Sequence, residues 1–354
     1  MHVDLDYFYA QCEELRDPGL KGRPVVVCIY SGRTEDSGAV STSNYEARKL
    51  GIHSGLPIAA AKRMANSDTR FIRADLDHYD EVSERVMAVI RPFSDVMEQA
   101  SIDEAYMEFT GILDSSEQAR SRASELKAEI MKHEHLTCSV GVGPNKLISK
   151  MAAGVIKPDG LTVINEEDVQ TFLDQMPVGK LFGVGRVTEG KLNGMDVHTV
   201  RDLRMLEPAQ LRREFGASMG AWLHDASRGI DAEPVKDRKR EQYGRIVTLK
   251  EDTRDRSVIA ERALALMSEV VAMANTDGIA FKTISFTGIM EDLSTRTKNR
   301  SLPDFISDAE MGRRVAAHLV DEFLAEHEGK LRRIGVRISN LSEKKGQKYL
   351  SDFM

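Results

Sequence analysis

The sequence holds only three cysteines, Cys12, Cys28 and Cys138, and no two of them form a CxxC pair. That scatter supports neither a disulfide framework nor a cysteine-ligated zinc site. No apolar run approaches the roughly 20 residues a membrane-spanning helix needs. No basic-then-apolar segment opens the chain as a secretory signal would, so a cytoplasmic location is the expectation. The GxxxxGK[ST] signature is absent, which excludes a P-loop. Positive charge is not in excess: 49 Lys and Arg against 56 Asp and Glu give a formal net charge of −7. Taken alone, that balance argues against a nucleic-acid partner, but the charge is unevenly distributed.

What is present is a chain of 354 residues, 41 % hydrophobic and 30 % charged, long enough for two to four compact units. "HVDL" reads as a short strand, with Asp6 as the N-cap of a helix starting near Tyr7. Residues 23–30 and 38–44 read as strands, and "NYEARKLG" and "LPIAAAKRMA" as short helices. Val82, Val86, Val89 and Ile90 mark one helical face, and Ala119, Ala123, Leu126 and Ile130 another. Between these helices a hairpin is expected, with strands at 96–101 and 104–110, and a strand at 137–143 follows them. The order strand, helix, strand, strand, helix, strand is the ferredoxin-like split βαβ pattern. About 70 residues separate its first strand from its first helix, so they form an inserted subdomain. Residues 166–230 read as short helices around a Gly-x-Gly hairpin at Gly183 and Gly185. A basic linker leads into a last mixed unit: strands at 243–250, 280–290, 295–301 and 331–339, and helices at 257–274 and 304–325.

Asp4 ends the first strand, and Asp103 and Glu104 sit at the hairpin turn. In a split βαβ sheet these elements are central neighbours. Carboxylates that close need a cation to stay ionised. Oxygen ligands without His or Cys nearby in sequence fit Mg²⁺ or Mn²⁺, and two such ions about 4 Å apart suit phosphoryl transfer. A helix starting at Tyr7 offers free N–H groups to phosphate. Tyr45 and Arg48 share a helical face, and Thr42 and Lys157 add further donors. Together these residues are equipment for a nucleoside triphosphate.

The segments "VDLDYFYAQCEE", "KGRPVVVC", "EDSGAVSTSNYEARKLGI", "ASIDEAY", "SVGVGPNKLISKMAA", "KPDG", "GRIVT" and "RRIGVRIS" closely resemble those of Y-family translesion DNA polymerases of the DinB/polymerase IV branch, archaeal type. The resemblance implies an α+β multidomain fold: a right-hand polymerase with a ferredoxin-like palm, small fingers, a helical thumb with a helix-hairpin-helix element, and a mixed α/β little finger. It places the palm at 1–10 and 75–165, the fingers at 11–74, the thumb at 166–230, a linker at 231–240, the little finger at 241–341 and a tail at 342–354. It implies metal ligation by Asp4, Asp103, Glu104 and the carbonyl of Leu5. It implies triphosphate contacts from the N–H groups of Tyr7 and Phe8 and the side chains of Thr42, Tyr45, Arg48 and Lys157. Tyr9 would be the steric gate under the sugar, and Ala39 and Val40 would roof the nascent base pair. Only Met1 to Val3 precede Asp4, so a short first strand is expected.

Gly183 and Gly185 would approach a DNA phosphate. Lys236, Arg238, Lys239 and Arg240 in the linker, and Arg332, Arg333 and Arg337 near the end, would lie along duplex. Gln347, Leu350 and Phe353 have the spacing of a sliding-clamp-binding peptide. The expected activity is template-directed, error-prone synthesis from dNTPs with two Mg²⁺ and no proofreading, by a monomer. An inactive DNA-binding accessory protein and a nucleotidyl cyclase are the alternatives. The intact acidic triplet argues against the first, and the DNA-binding elements against the second.

Overall fold

The computed structural model describes residues 1–113, 115–237 and 239–344. The chain divides into two compact units: residues 1–28, 40–56 and 60–238, and residues 29–39, 57–59 and 239 onward.

Strand β1 (His2–Leu5) leads into helix α1 (Phe8–Arg16). The inserted stretch follows: β2 (Val25–Tyr30), β3 (Gly38–Ser43), α2 (Tyr45–Lys49), α3 (Ile58–Met64) and β4 (Arg70–Arg73). Its three strands form a sheet in the order β3-β2-β4. Asn44 caps α2 by accepting the Ala47 N–H at 3.0 Å. β4 was not expected; its four residues pair parallel to β2, Val25 opposite Arg70.

Helix α4 (Leu76–Ile90), the hairpin β5 (Met97–Gln99) and β6 (Glu104–Met107), helix α5 (Ser116–Glu134), strand β7 (Cys138–Val142), helix α6 (Lys146–Ala153) and strand β8 (Leu161–Val163) complete the palm-like sheet. Its order is β5-β6-β1-β7-β8. The first four strands are the split βαβ arrangement, and β8 adds a fifth, parallel to β7. The α4 stripe of Tyr79, Val82, Val86 and Ile90 meets Ala123, Leu126 and Ile130 of α5 over Val3, Leu5 and Val140 of the sheet. Each large side chain fully buried there contributes about 2 kcal/mol.

Five short helices come next: α7 (Val169–Asp174), α8 (Arg186–Asn193), α9 (Val200–Arg204), α10 (Pro208–Phe215) and α11 (Ala217–Ala226). They share a small core of Leu173, Leu192, Leu203, Leu211 and Leu223, which Leu147 and Ile148 of α6 join.

The second unit contains β9 (Gln242–Thr253), α12 (Arg256–Thr276), β10 (Ile279–Met290), β11 (Thr295–Ile306), α13 (Ala309–Glu326) and β12 (Leu331–Glu343). The strands form one antiparallel sheet in the order β11-β10-β12-β9. β11 runs past its expected end because Ile306 still pairs with Phe281, so α13 starts at Ala309 and not at 304. Ile334, Val336 and Ile338 of β12 pack with Ile259, Val270, Leu319 and Phe323 of the two helices. The alternate residues Arg333, Gly335, Arg337 and Ser339 therefore line the opposite face.

Candidate active site

The palm sheet aligns the acidic residues. In the β1–β6 pairing Asp4 stands directly opposite Glu104, which sets their Cβ atoms about 5 Å apart. Asp103 immediately precedes β6, and its carbonyl accepts the Leu5 N–H at 2.9 Å. Two carboxylates at such a distance repel by about 3 kcal/mol at the effective dielectric of a protein. Ammonium groups meet this charge. Lys157 donates to Asp4, and Lys150 of α6 donates to Glu104 Oε2 at 2.5 Å. Asp103 accepts the Ser101 hydroxyl at 2.6 Å.

The environments push the three groups apart. Burial raises Asp4 to about 6; Lys157 pulls the other way, while Glu104 and Asp103 add to the rise. Burial also raises Asp103. Glu104 is likewise disfavoured by burial, yet contact with His2 and Lys150 holds it down to about 2. Among the described residues no three His, Cys, Asp or Glu side chains already converge as a metal cage, because Asp103 faces Ser101 and lysines occupy the other two. The donor set still fits hard divalent cations, being all oxygen, with Asp103 held by a neutral hydroxyl and not by a cation.

Two partners of Glu104 escaped the sequence reading. Lys150 lies 46 residues beyond it on α6. His2 is fully buried, its ring 3.6 Å from Glu104 Oε2 and tilted at 54° against Tyr106, its cross-strand partner, with ring centres 4.5 Å apart. Burial lowers His2 to about 4. Asp4, Glu104, Lys150 and Lys157 line a cavity of about 570 Å³ whose far wall includes Phe172 and Phe182.

The start of α1 corrects one expectation. Tyr7, not Asp6, is its N-cap, in a left-handed conformation at φ 34° with no side-chain cap. Asp6 is fully buried and caps no helix N–H. Its carboxylate accepts the Ser139 hydroxyl at 2.7 Å and the Asp159 N–H at 2.8 Å. An aspartate before a helix reads as a cap in sequence; here the turn at Tyr7 sends it inward instead.

The Tyr7 ring meets Tyr45 edge-on at 5.4 Å, and the Arg48 guanidinium lies 4.7 Å from the Tyr45 ring centre. The Tyr45 hydroxyl is buried without a hydrogen-bond partner among the described residues; burial, then the field of Asp6, raises its pKa. Thr42 is half-buried on β3 and Phe8 is buried in the palm core. The Tyr9 ring stacks at 4.3 Å on Tyr79, whose hydroxyl donates to Glu13 at 2.6 Å. Val40 is buried, while Ala39 is exposed and bridges Pro57.

The remaining candidates fall elsewhere. Gly183 has φ 97°, and a Cβ there would meet the Trp222 ring at 2.5 Å, so glycine is required. Gly185 caps α8 with open space around it. The element before this hairpin is a single 3₁₀ turn, Val178–Lys180, and not a full helix. The Lys236 N–H donates to Glu98 at 3.2 Å. Lys239 pairs with Glu343 at 3.4 Å, and Arg240 with Asp277 at 3.3 Å. In the second unit Arg332 lies 3.7 Å from Asp252. Arg333 and Arg337 share the sheet face away from the helices, with hydroxyl pairs Thr283–Ser301 and Thr287–Thr297 alongside. Arg333 Nε and Ser285 Oγ are buried there without hydrogen-bond partners among the described residues. Arg238, Gln347, Leu350 and Phe353 lie outside the described residues.

The whole chain is similar to proteins of one class. The impB/mucB/samB family profile matches residues 3–154, and its C-terminal domain profile matches residues 240–351. Between them the profile described as DNA polymerase-iota, thumb domain, matches residues 179–231. A DNA polymerase IV of Methanosarcina mazei is 42 % identical over 100 % of this chain and 98 % of its own. Its counterpart from Nitrosopumilus maritimus is 40 % identical over 99 % and 98 %. Among solved structures, a Y-family polymerase chimera of Dbh and Dpo4 superposes with a TM-score of 0.90 at 35 % identity, covering 97 % of this chain and 98 % of that one. An insertion ternary complex of Dbh DNA polymerase gives 0.72 at the same identity and coverage. The chain belongs to the Y family of DNA polymerases, in its DinB, or polymerase IV, branch.

Proposed function

We propose that this chain is a template-directed, error-prone DNA polymerase that extends primers past damaged template bases with dNTPs and without proofreading. The cross-strand pairing of Asp4 with Glu104, with Asp103 at the adjoining turn, carries this reading. Two Mg²⁺, or Mn²⁺, held by Asp4, Asp103, Glu104 and the Leu5 carbonyl would activate the primer 3′-hydroxyl and neutralise the departing pyrophosphate. The protein's own groups do the positioning. Lys157, Arg48, Thr42 and the unpartnered Tyr45 hydroxyl receive the β- and γ-phosphates beside the Tyr7 and Phe8 N–H groups. The Tyr9 ring, backed by Tyr79, lies under the sugar and leaves no room for a 2′-hydroxyl. Ala39 and Val40 cover the nascent base pair. The primer 3′-oxygen attacks the α-phosphorus and pyrophosphate leaves.

Gly183 and Gly185 contact the duplex through the backbone. Arg333 and Arg337, on a face with unpartnered donors, meet phosphates without reading bases. Lys236, Arg238, Lys239, Arg240 and Arg332 add to this field, and Gln347, Leu350 and Phe353 tether the enzyme to a sliding clamp. The protein acts as a monomer in the cytoplasm.

Primer extension tests the reading. Asp103→Ala and Glu104→Ala should each lower single-nucleotide incorporation by at least about 10³-fold while primer–template affinity stays within about threefold of wild type. Activity surviving both substitutions would overturn it.

A further inference from the structure

Asp6 is a carboxylate that the proposed chemistry does not use. It is completely buried, a situation that costs free energy unless both oxygens are satisfied. One oxygen accepts the Ser139 hydroxyl at 2.7 Å and the other accepts the Asp159 N–H at 2.8 Å. Asp159 belongs to the turn that carries Lys157, and Ser139 also accepts the N–H of Gly160 at 3.3 Å, from the same turn. On the other flank Lys127 donates to Asp159 Oδ1 at 2.6 Å and to the Gly160 carbonyl at 3.3 Å. The Asp6 backbone is itself fixed, because the Gln11 side chain donates to its carbonyl and to that of Thr137. The result is a rigid connection from the end of β1, where Asp4 sits, to the turn whose Lys157 reaches back to Asp4.

We infer that Asp6 is a positioning residue: it holds the 157–160 turn so that the Lys157 ammonium stays beside Asp4, where the triphosphate of the incoming nucleotide docks. The two carboxylates of "DLD" thereby divide the labour, Asp4 toward the reacting groups and Asp6 toward the residue that grips the nucleotide. The inference rests on the reading of Lys157 as a phosphate ligand.

The test measures the dNTP dissociation constant on a dideoxy-terminated primer–template, where no bond forms, with thermal melting in parallel. Lys157→Ala should weaken dNTP binding about tenfold, the effect expected of one charge-assisted contact. Asp6→Ala should weaken it by about the same factor, and the double variant no more than Lys157→Ala alone. Asp6→Asn keeps an acceptor for Asp159 and should recover most of the affinity. Ser139→Ala removes one arm and should cost about threefold, a loss that vanishes in the Lys157→Ala background. Should Asp6→Ala not fold, Ser139→Ala and Asp6→Asn complete the same cycle. A role confined to stability would lower the melting temperature and leave the losses multiplicative with Lys157→Ala, which overturns the inference. So does wild-type dNTP affinity in Asp6→Ala and Ser139→Ala, or in Ser139→Ala alone where Asp6→Ala does not fold, while Lys157→Ala is weakened. If Lys157→Ala itself binds dNTP normally, the phosphate-ligand reading falls and the inference falls with it.

Discussion

Ionising Asp4 is unfavourable in the metal-free protein, since burial pushes its pKa up to about 6 from an ordinary 3.8. Between those values the folded chain keeps a proton that the unfolded chain releases, so stability falls as pH rises through that window and is level above it. Asp4→Asn removes the penalty. Metal-free Asp4→Asn should melt higher than wild type at pH 7.5 and about equally at pH 4, as thermal denaturation at both pH values would reveal. Lower melting at pH 7.5 would mean that the pair with Lys157 is net stabilising instead. Glu104 has the opposite sign. Its pKa of about 2 lies below its ordinary 4.5, so its stabilisation is present above 4.5 and is lost as pH falls toward 2. In the proposed function Tyr9 is the residue that governs the sugar. Tyr9→Ala should lower dNTP-over-rNTP discrimination by about 10²-fold or more in single-nucleotide incorporation, since a steric exclusion is removed. Undiminished discrimination would take Tyr9 out of that role.

At the scale of elements, the 157–160 turn ends on a glycine with no room for a side chain. A Cβ on Gly160 would stand 1.8 Å from the Ile156 carbonyl oxygen. Gly160→Ala should therefore destabilise the protein by roughly 1–3 kcal/mol and weaken dNTP binding through displaced Lys157, as denaturant melts and nucleotide titration would register. Unchanged dNTP affinity would show that the turn tolerates displacement. The elements that sequence revealed were those with a strong local signature. The stripes of α4 and α5, with the split βαβ order of the elements around them, put Asp4 and the hairpin bearing Glu104 side by side from sequence alone. β4 and β8 were missed because they have four and three residues and owe their existence to partners, β2 and β7, that lie far away in sequence. Asp6 was misread for the same reason: its partners lie 133 and 153 residues along the chain, while the local signal for a cap was strong. His2 and Lys150 gave no signal of their own, as only the sheet register and the packing of α6 bring them to Glu104.

Across the whole molecule, the proposed function reconciles a net charge of −7 with a DNA partner by where the cations sit. Arg333 and Arg337 lie on the helix-free face of the second unit's sheet, among hydroxyls and with an unpartnered donor. Such contacts are independent of sequence and displace counterions. The variant Arg333→Ala/Arg337→Ala should weaken primer–template binding uniformly across sequences and lower the slope of log affinity against log salt by about 2. An unchanged slope would place the duplex elsewhere. The central claim, that Asp4, Asp103 and Glu104 hold a pair of divalent ions, is tested most directly by counting Mn²⁺ with electron paramagnetic resonance. The sample is the complex with dNTP and a dideoxy-terminated primer–template. Two bound Mn²⁺ per chain are expected for the wild type, and a loss of at least one for Asp103→Ala or Glu104→Ala. Two Mn²⁺ retained by both variants would contradict the account.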